Sequence, residues 1–311
     1  MAATAAAMNI PPKSRALRWL ICLLGIGLLC VAATPAGADT LDPAGAASLR
    51  AAYASLRERL DDSPFQRPIA LDSHQSPDEL RGDVHAVIEQ PFATLSSAVT
   101  SADEWCEIMM LHLNVKHCTT AGGTGARMLT AYLGAKHPQP LRSTHRVTFK
   151  QRVDAQSSDY LQVRLTADAG PLGMRDCRIV LEAIPLEPGR SFVHMSYAYG
   201  YGAAAAIAMR AYFSTAASEK VGFTVVARRG DGQPVRVGGV RGALERNTMR
   251  YFLAIDAHLR SASAPPHAQL EQRLLDWFAA TERYAPQLRE LEQGEYLRMK
   301  RDEYHRTLAE R

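Results

Sequence analysis

The chain has 311 residues, with 36 lysines and arginines against 32 aspartates and glutamates, for a formal net charge of +4. This near balance excludes the broad basic surface that attracts nucleic acid, so we expect no nucleic-acid partner. The length is enough for one large domain with helical extensions and a sizeable core.

The first forty residues have the layout of an export signal. Three cations, Lys13, Arg15 and Arg18, are followed by an apolar run over 17–33 and then by Ala-Gly-Ala. This pattern predicts cleavage before Asp39 and a periplasmic or secreted protein. The alternative is an uncleaved membrane anchor, because the apolar run is near the lower limit for a span. Cleavage would lower the net charge to +1, since the three cations are lost.

Three cysteines follow this leader: Cys106, Cys118 and Cys177. An oxidising compartment allows a disulfide, and the odd number leaves one thiol free or paired between chains. Cys106 and Cys118 are close in sequence, near the end of a predicted helix and in the following extended run. We therefore favour this pair, and three buried thiols are the alternative.

The part of the mature chain before residue 82 indicates one helix and a loop. Ala44–Leu60 is rich in alanine and has Leu49, Tyr53, Leu56 and Leu60 on one side. We expect a loop over Asp61–Gln75, which contains two prolines. A half-buried strand over Asp83–Glu89 then opens the main domain, because apolar and polar residues alternate there. Proline ends this strand, and two short helices follow, the second of which carries Trp105.

A series of strands comes next, over Met128–Leu133, Thr144–Val153, Tyr160–Thr166, Arg175–Ile184 and Phe192–Tyr199. Their short connections favour antiparallel hairpins. Each strand has one apolar face, as in Leu161, Val163 and Leu165, and an opposite face with charged residues. The pattern predicts a sheet with one covered and one solvated face.

The last third of the chain indicates four helices and one strand. We expect an alanine-rich helix over Ala203–Ala217, a last strand over Val221–Val226 and a turn at Asp231-Gly232. The stretch Gly238–Leu259 has apolar residues three or four apart, which predicts a long helix whose apolar face packs on the sheet. Its charged residues Arg246, Arg250, Asp256 and Arg260 lie elsewhere on the helical wheel. Charged periodic helices over 270–281 and 287–308 follow, each predicted to have a solvated face over a packed stripe.

This order of elements resembles the START-like superfamily, also called helix-grip or SRPBCC, which includes polyketide cyclase-like proteins. The matching segments are Val84–Trp105, Lys220–Val226 and the helix over Val240–Leu259. The resemblance implies an α+β fold, with a curved antiparallel sheet wrapped around the long helix and extra helices at both ends. It also implies an apolar cavity between sheet and helix, where members commonly hold sterols, lipids or polyketides. We accordingly divide the chain into a signal peptide (1–38), an N-terminal helix and linker (39–80), the helix-grip domain (81–261) and a C-terminal helical extension (262–311).

The candidate ligand-binding residues are aromatic side chains and a polar pair. Three tyrosines alternate on one strand, and three apolar residues lie on the long helix, so both sets could line the cavity. Arg241 and Glu245, near the start of that helix, could orient a ligand headgroup. The alternatives are ordinary core aromatics and a solvated helix start. The remaining candidates are Trp105, Tyr197, Tyr199, Tyr201, Tyr251, Phe252 and Ile255.

The sequence predicts no metal and no cofactor. His112, His117 and Cys118 lack the spacing of a zinc motif. The glycines at 122, 123 and 125 lack the lysine of a phosphate-binding loop, and there is no GxSxG motif.

Three functions are consistent with these features. The first is an exported binder or carrier of a hydrophobic, lipid-like molecule. The second is a cyclase- or hydrolase-type enzyme that uses the same cavity, with His194 or Glu245 as acid–base candidates. The third is a protein whose residues 266–311 bind a membrane surface or a protein partner.

Overall fold

The computed structural model describes residues 43–122, 127–207, 209 and 219–309. The predicted leader and most of the helix predicted over Ala203–Ala217 lie outside these residues, as do two of the three glycines near residue 123. Residues 203–207 are helical, as expected. Among the described residues, no helix has the length and hydropathy needed to cross a membrane.

The centre of the fold is an eight-stranded antiparallel sheet with the order β1-β2-β8-β7-β6-β5-β4-β3. Its strands correspond to the predicted alternating runs, which confirms the antiparallel prediction. The loop predicted over Asp61–Gln75 is wrong in its second half, because Ile69–Gln75 pairs with the next strand as the edge of the sheet. The strands are β1 (Ile69–Gln75), β2 (Glu79–Ile88), β3 (Val115–Ala121), β4 (Arg127–Leu133), β5 (His145–Gln156), β6 (Leu161–Ala169), β7 (Met174–Glu187) and β8 (Arg190–Tyr201).

The inner face of the sheet is covered by three helices: α2 (Phe92–Thr100), α3 (Ala102–Leu111) and α4 (Gly239–Ser261). The predicted apolar face, including Leu161, Val163 and Leu165, is fully buried in the main core. The long predicted helix is α4, which packs on β1, β2 and β8. The architecture is therefore the predicted α+β helix-grip arrangement, with a sheet on one side of a long helix.

Helix α4 is buried on all sides, which differs from the prediction of one apolar face. Of its 23 residues, 18 are buried, and Arg250 and Asp256 are among them. The polar side is covered by α5 (Pro266–Glu282) and α6 (Ala285–Leu288), and by residues before β1. The last helix is α7 (Gln293–Ala309). Arg67 pairs with Asp256 at 2.9 Å, and Arg250 pairs with Glu290 at 2.8 Å. Charged side chains can be buried here because each has an ionic partner.

Helix α7 is held on β3 by a buried polar network. Lys300 Nζ donates to Glu303 and to the carbonyl oxygens of His112 and Val115, at 2.7 to 2.8 Å. Glu303 also pairs with Lys116 at 3.0 Å. These contacts satisfy the charges that the helix buries, and they make the C-terminal helices part of the core.

The outer face of the sheet is partly covered as well, by α1 (Pro43–Asp61). Leu49 and Leu60 of this helix form a second core with Val87, Ile184 and Phe192. The predicted apolar side of α1 is therefore confirmed. The prediction of a solvated outer face holds only for the rest of the sheet.

The strand predicted over Val221–Val226 is wrong. Residues 219–224 are not a strand, and Val225–Arg228 (β9) pairs only with Pro234–Arg236 (β10), in a separate hairpin. The backbone N–H groups of Phe223 and Thr224 donate to the Glu245 carboxylate, at 2.5 and 2.9 Å. Those donors are therefore unavailable for pairing with the main sheet.

Candidate functional site

A cavity of about 390 Å³ lies between the inner face of the sheet and α4. Its wall is formed by the end of β4, the starts of β5 and β7, the second half of β8 and the first half of α4. The volume is within the range of pockets that bind small molecules. The cavity is the natural candidate for a binding site.

Three tyrosines form the aromatic wall of this cavity. Tyr197 and Tyr199 alternate with outward-facing residues on β8, and Tyr251 faces them from α4. The rings of Tyr197 and Tyr251 are 5.5 Å apart, and those of Tyr197 and Tyr199 are 5.7 Å apart. Burial raises the pKa of all three phenols, so they are neutral at physiological pH. This aromatic part of the wall is therefore uncharged.

Cationic side chains make up another part of the lining: Lys136, Lys220, Arg246 and Arg250. Glu290 lies behind them, with its carboxylate 2.6 Å from Lys136 Nζ and 2.8 Å from Arg250. Burial alone would raise the pKa of Glu290, but Lys136 and Arg250 lower it, so it is ionised. The Glu290 carboxylate is thus shared by more than one cation. Among the described lining residues, positively charged side chains outnumber negatively charged ones.

His112 lines the cavity beside Tyr251, with the two rings stacked at 4.7 Å. It ends α3 and is only 2% exposed. Its Nδ1 accepts a hydrogen bond from the backbone N–H of Asn114 at 3.1 Å. Its Nε2 has no hydrogen-bond partner among the residues that the structure describes. Burial and the nearby Arg250 lower the pKa of His112 well below its usual range, so the ring is neutral.

Several predicted aromatic and apolar residues lie in the core and do not line the cavity. Trp105 is fully buried and donates from Nε1 to the Val99 carbonyl at 2.6 Å. Tyr201 donates to the Ser76 carbonyl, near the sheet edge. Phe252 and Ile255 are buried in the main core. Of the predicted ligand-binding residues, the cavity brings together Tyr197, Tyr199 and Tyr251.

The polar pair at the start of α4 also lies outside the cavity. Glu245 is fully buried. Its carboxylate accepts from the hydroxyls of Ser73 and Thr224, in addition to the two backbone N–H groups already described. Arg241 donates to Ser73 Oγ at 2.7 Å. The geometry makes Glu245 a link between α4, β1 and the segment before β9.

His194 projects from the outer face of the sheet, because it alternates with Met195 and Tyr197 on β8. Its two ring nitrogens contact Asp83 at 2.8 Å and Glu182 at 2.9 Å. Burial alone would lower the pKa of His194, but the two carboxylates raise it to about 9. The ring stacks on His85 at 4.3 Å, and burial together with the charge of His194 lowers the pKa of His85 to about 4.

The cysteines lie at two places in the fold. The Sγ atoms of Cys106 and Cys118 are 1.96 Å apart, at disulfide bonding distance. Cys177 is a free, buried thiol in the cavity wall, and burial raises its pKa to about 11. Within the described ranges, no group of three or more His, Cys, Asp or Glu side chains is placed to hold a metal ion.

Sequence reasoning missed His112, Lys136 and Arg250 as cavity residues. From sequence alone, His112 is a candidate only for a metal site, and Arg250 belongs to the polar side of the helix. A usable signal was the segment His112–Asn114, since a histidine just after a helix can accept a backbone N–H two residues on. Contacts with α4 depend on tertiary packing, which local periodicity does not report.

No protein-family model and no curated protein matches the sequence. Among solved structures, the chain is similar to Ara h 8.0201, with 11% identity and a TM-score of 0.33 over 62% of this chain and 99% of that one. It is also similar to norcoclaurine synthase of Thalictrum flavum, with 11% identity and a TM-score of 0.31 over 46% and 90%. The human StAR-related lipid transfer protein 5 gives 8% identity and a TM-score of 0.28 over 50% and 82%.

Proposed function

We propose that this chain is an exported protein that binds a hydrophobic, lipid-like molecule in the cavity between the sheet and α4. The observation that supports the proposal is the cavity itself. It has about 390 Å³ of space and three neutral tyrosines in its wall. Such a lining binds apolar ligands through burial of their surface, and the hydroxyls can orient a polar group.

A binder is favoured over an enzyme because neither predicted acid–base residue lines the cavity. His194 is held between two carboxylates on the outer face of the sheet. Glu245 accepts four hydrogen bonds from protein groups. A general acid or base must reach the substrate directly or through one water, and these two side chains are engaged elsewhere.

Export is proposed from the three-part leader over residues 1–38. We place the protein in the periplasm or outside the cell on that ground. An extracytoplasmic binder would hold its ligand in a buried site, away from water, until it is released.

The proposal can be tested with the neutral fluorophore N-phenyl-1-naphthylamine. Protein purified without detergent should enhance the fluorescence of this probe with saturable, single-site binding. Native mass spectrometry of the same preparation should show a co-purified small molecule that disappears on denaturation. A folded protein that neither binds the probe nor carries an adduct would contradict the proposal.

The hypothesis that residues 266–311 bind a membrane surface or a protein partner needs a test that leaves these helices in place. Trp277, Tyr296 and Met299 are buried in the main core, so deletion of the segment would expose core surface. Charge-reversing substitutions at exposed positions, such as Arg298, would change the outer surface and leave the core intact. Loss of vesicle or partner binding in such a variant would support the hypothesis, and unchanged binding would exclude that surface.

A further inference from the structure

We infer that the cavity selects amphiphiles with an anionic headgroup, which is held where His112, Lys136 and Arg250 line the wall. This inference rests on the proposed function and adds the chemical class of the ligand. The expected ligand combines one apolar chain or ring system with a carboxylate or phosphate. Three features of the cavity lead to this conclusion.

The first feature is the sign of the charged residues in the wall. Four of the described lining residues are cationic, and none of the described lining residues is an aspartate or glutamate. Lys136, Arg250 and Lys220 share one carboxylate, that of Glu290. Excess positive charge next to a low-dielectric cavity favours an anion over a neutral or cationic group.

The second feature is the tautomer of His112. Its Nδ1 accepts the backbone N–H of Asn114, so in the neutral ring the proton is on Nε2. This N–H is buried and has no acceptor among the residues that the structure describes. A buried donor without a partner costs free energy. A ligand oxygen is a suitable acceptor if the lining side chains shift enough to open this buried atom to the cavity, and an ionised oxygen is the strongest one.

The third feature is the apolar remainder of the wall. Part of the lining consists of side chains that can contact a hydrocarbon chain but cannot pair with a charge. A ligand with one charged group and one apolar part matches a lining that contains both cationic and apolar side chains. The apolar lining residues include Leu133, Val147, Phe149, Leu172 and Met174.

The inference can be tested by displacement of N-phenyl-1-naphthylamine with four twelve-carbon amphiphiles, each below its micelle concentration. Dodecanoate and dodecyl phosphate supply the two anionic headgroups, 1-dodecanol is the neutral control and dodecyltrimethylammonium is the cationic control. We expect at least one anion to bind about tenfold more tightly than the alcohol, as one hydrogen bond to a charged group would give. The tighter of the two anions identifies the carboxylate or phosphate source. Equal affinities for anions and alcohol, or tighter binding of the cation, would overturn the inference.

Two variants locate the headgroup. Lys136→Gln removes one cation from a side chain that is 36% exposed. His112→Asn retains an acceptor for the Asn114 N–H and removes the Nε2 donor. Each should lower the anion-to-alcohol affinity ratio by about tenfold. The matched control is Lys150→Gln, on the exposed outer face of β5, which should leave the ratio unchanged.

The outcomes separate the two proposals. A folded wild-type protein that binds no probe contradicts the proposed function. A protein that binds the probe but shows no preference for anions, or keeps its preference in Lys136→Gln, contradicts only the inference about the headgroup. Thermal unfolding of each variant shows whether it is folded. Because Lys136 is partly exposed, we expect Lys136→Gln to fold. This variant therefore tests the inference even if His112→Asn does not fold.

Discussion

Glu245 provides a sharp test of whether the start of α4 is a ligand site or a structural link. The side chain is fully buried, and its carboxylate accepts from four donors. Two donors are the hydroxyls of Ser73 and Thr224, which can rotate. The other two are the backbone N–H groups of Phe223 and Thr224, which can donate a hydrogen bond but cannot accept one. The effect of a substitution therefore depends on which of these donors loses its acceptor.

Two substitutions differ in this respect. In Glu245→Gln, the amide oxygen can face the two backbone N–H groups while the rotatable hydroxyls accept from the amide nitrogen. Only the charge assistance is then lost, which we expect to cost about 2 kcal/mol of unfolding free energy. In Glu245→Ala, two buried backbone donors are left without an acceptor, and the expected cost is about 4–5 kcal/mol.

The assay is urea unfolding followed by tryptophan fluorescence, paired with N-phenyl-1-naphthylamine titration of the folded protein. Because Glu245 does not line the cavity, we expect Glu245→Gln to bind the probe within about twofold of wild type, as an uninvolved residue would. The reasoning is refuted if Glu245→Gln is as stable as wild type or loses probe binding while folded. The first result would mean that the four hydrogen bonds do not form, and the second that the carboxylate faces the ligand.

Four further predictions concern other parts of the molecule. Tyr251→Ala should weaken probe binding and cost less than the roughly 3–5 kcal/mol of a fully packed aromatic, because one side of the ring faces the cavity; a mutant that only loses stability would place Tyr251 in a filled core. The folded pKa of His194, about 9, is above its ordinary value of 6.5. Its stabilisation is therefore present below pH 6.5 and is lost as pH rises through 9. Urea unfolding of wild type and His194→Gln at both pH values measures this, and an identical pH dependence in the variant would contradict it. Peptide mapping without reductant should find Cys106 joined to Cys118, and free alkylation of both would exclude the bond. The intact mass of the exported protein should be that of a chain that begins at Asp39. A membrane-bound species that retains the leader would contradict cleavage.

The strands were predictable because alternation of apolar and polar residues is a local property of the sequence. In β6, Leu161, Val163 and Leu165 form one face regardless of what covers it. The edge strand β1 was missed because its burial stops after Leu71 and the rest of the strand is exposed or half-buried. An edge strand of this kind has the composition of a loop.

The errors in α4 and before β9 have a different origin. Arg250 and Asp256 have the spacing of a solvated helix face, but partners from distant parts of the chain, Glu290 and Arg67, cover them. The segment 221–224 has the apolar residues of a strand, yet its backbone donates to Glu245. Both outcomes depend on long-range contacts that no local window contains.

The candidate site was predictable in its aromatic part only. Strand period two placed Tyr197 and Tyr199 on the inner face, and helical spacing placed Tyr251 opposite them. Tyr201 continues the same alternation, but it lies at the end of β8, where its hydroxyl donates to Ser76. The polar part of the wall comes from residues just after α3 and β4, such as His112 and Lys136, and from Arg250 on α4.

The most direct test of the central claim is to fill the cavity from α4. Ala243 lines it from the helix, and phenylalanine at this position would occupy space that a ligand needs, without removing any existing contact. The measurement is N-phenyl-1-naphthylamine binding to Ala243→Phe, with thermal unfolding to confirm folding and Arg260→Leu, at the exposed end of the same helix, as the control. A ligand cavity predicts that folded Ala243→Phe loses probe binding while Arg260→Leu retains it. Unchanged binding in folded Ala243→Phe would contradict the claim that the ligand lies between the sheet and α4.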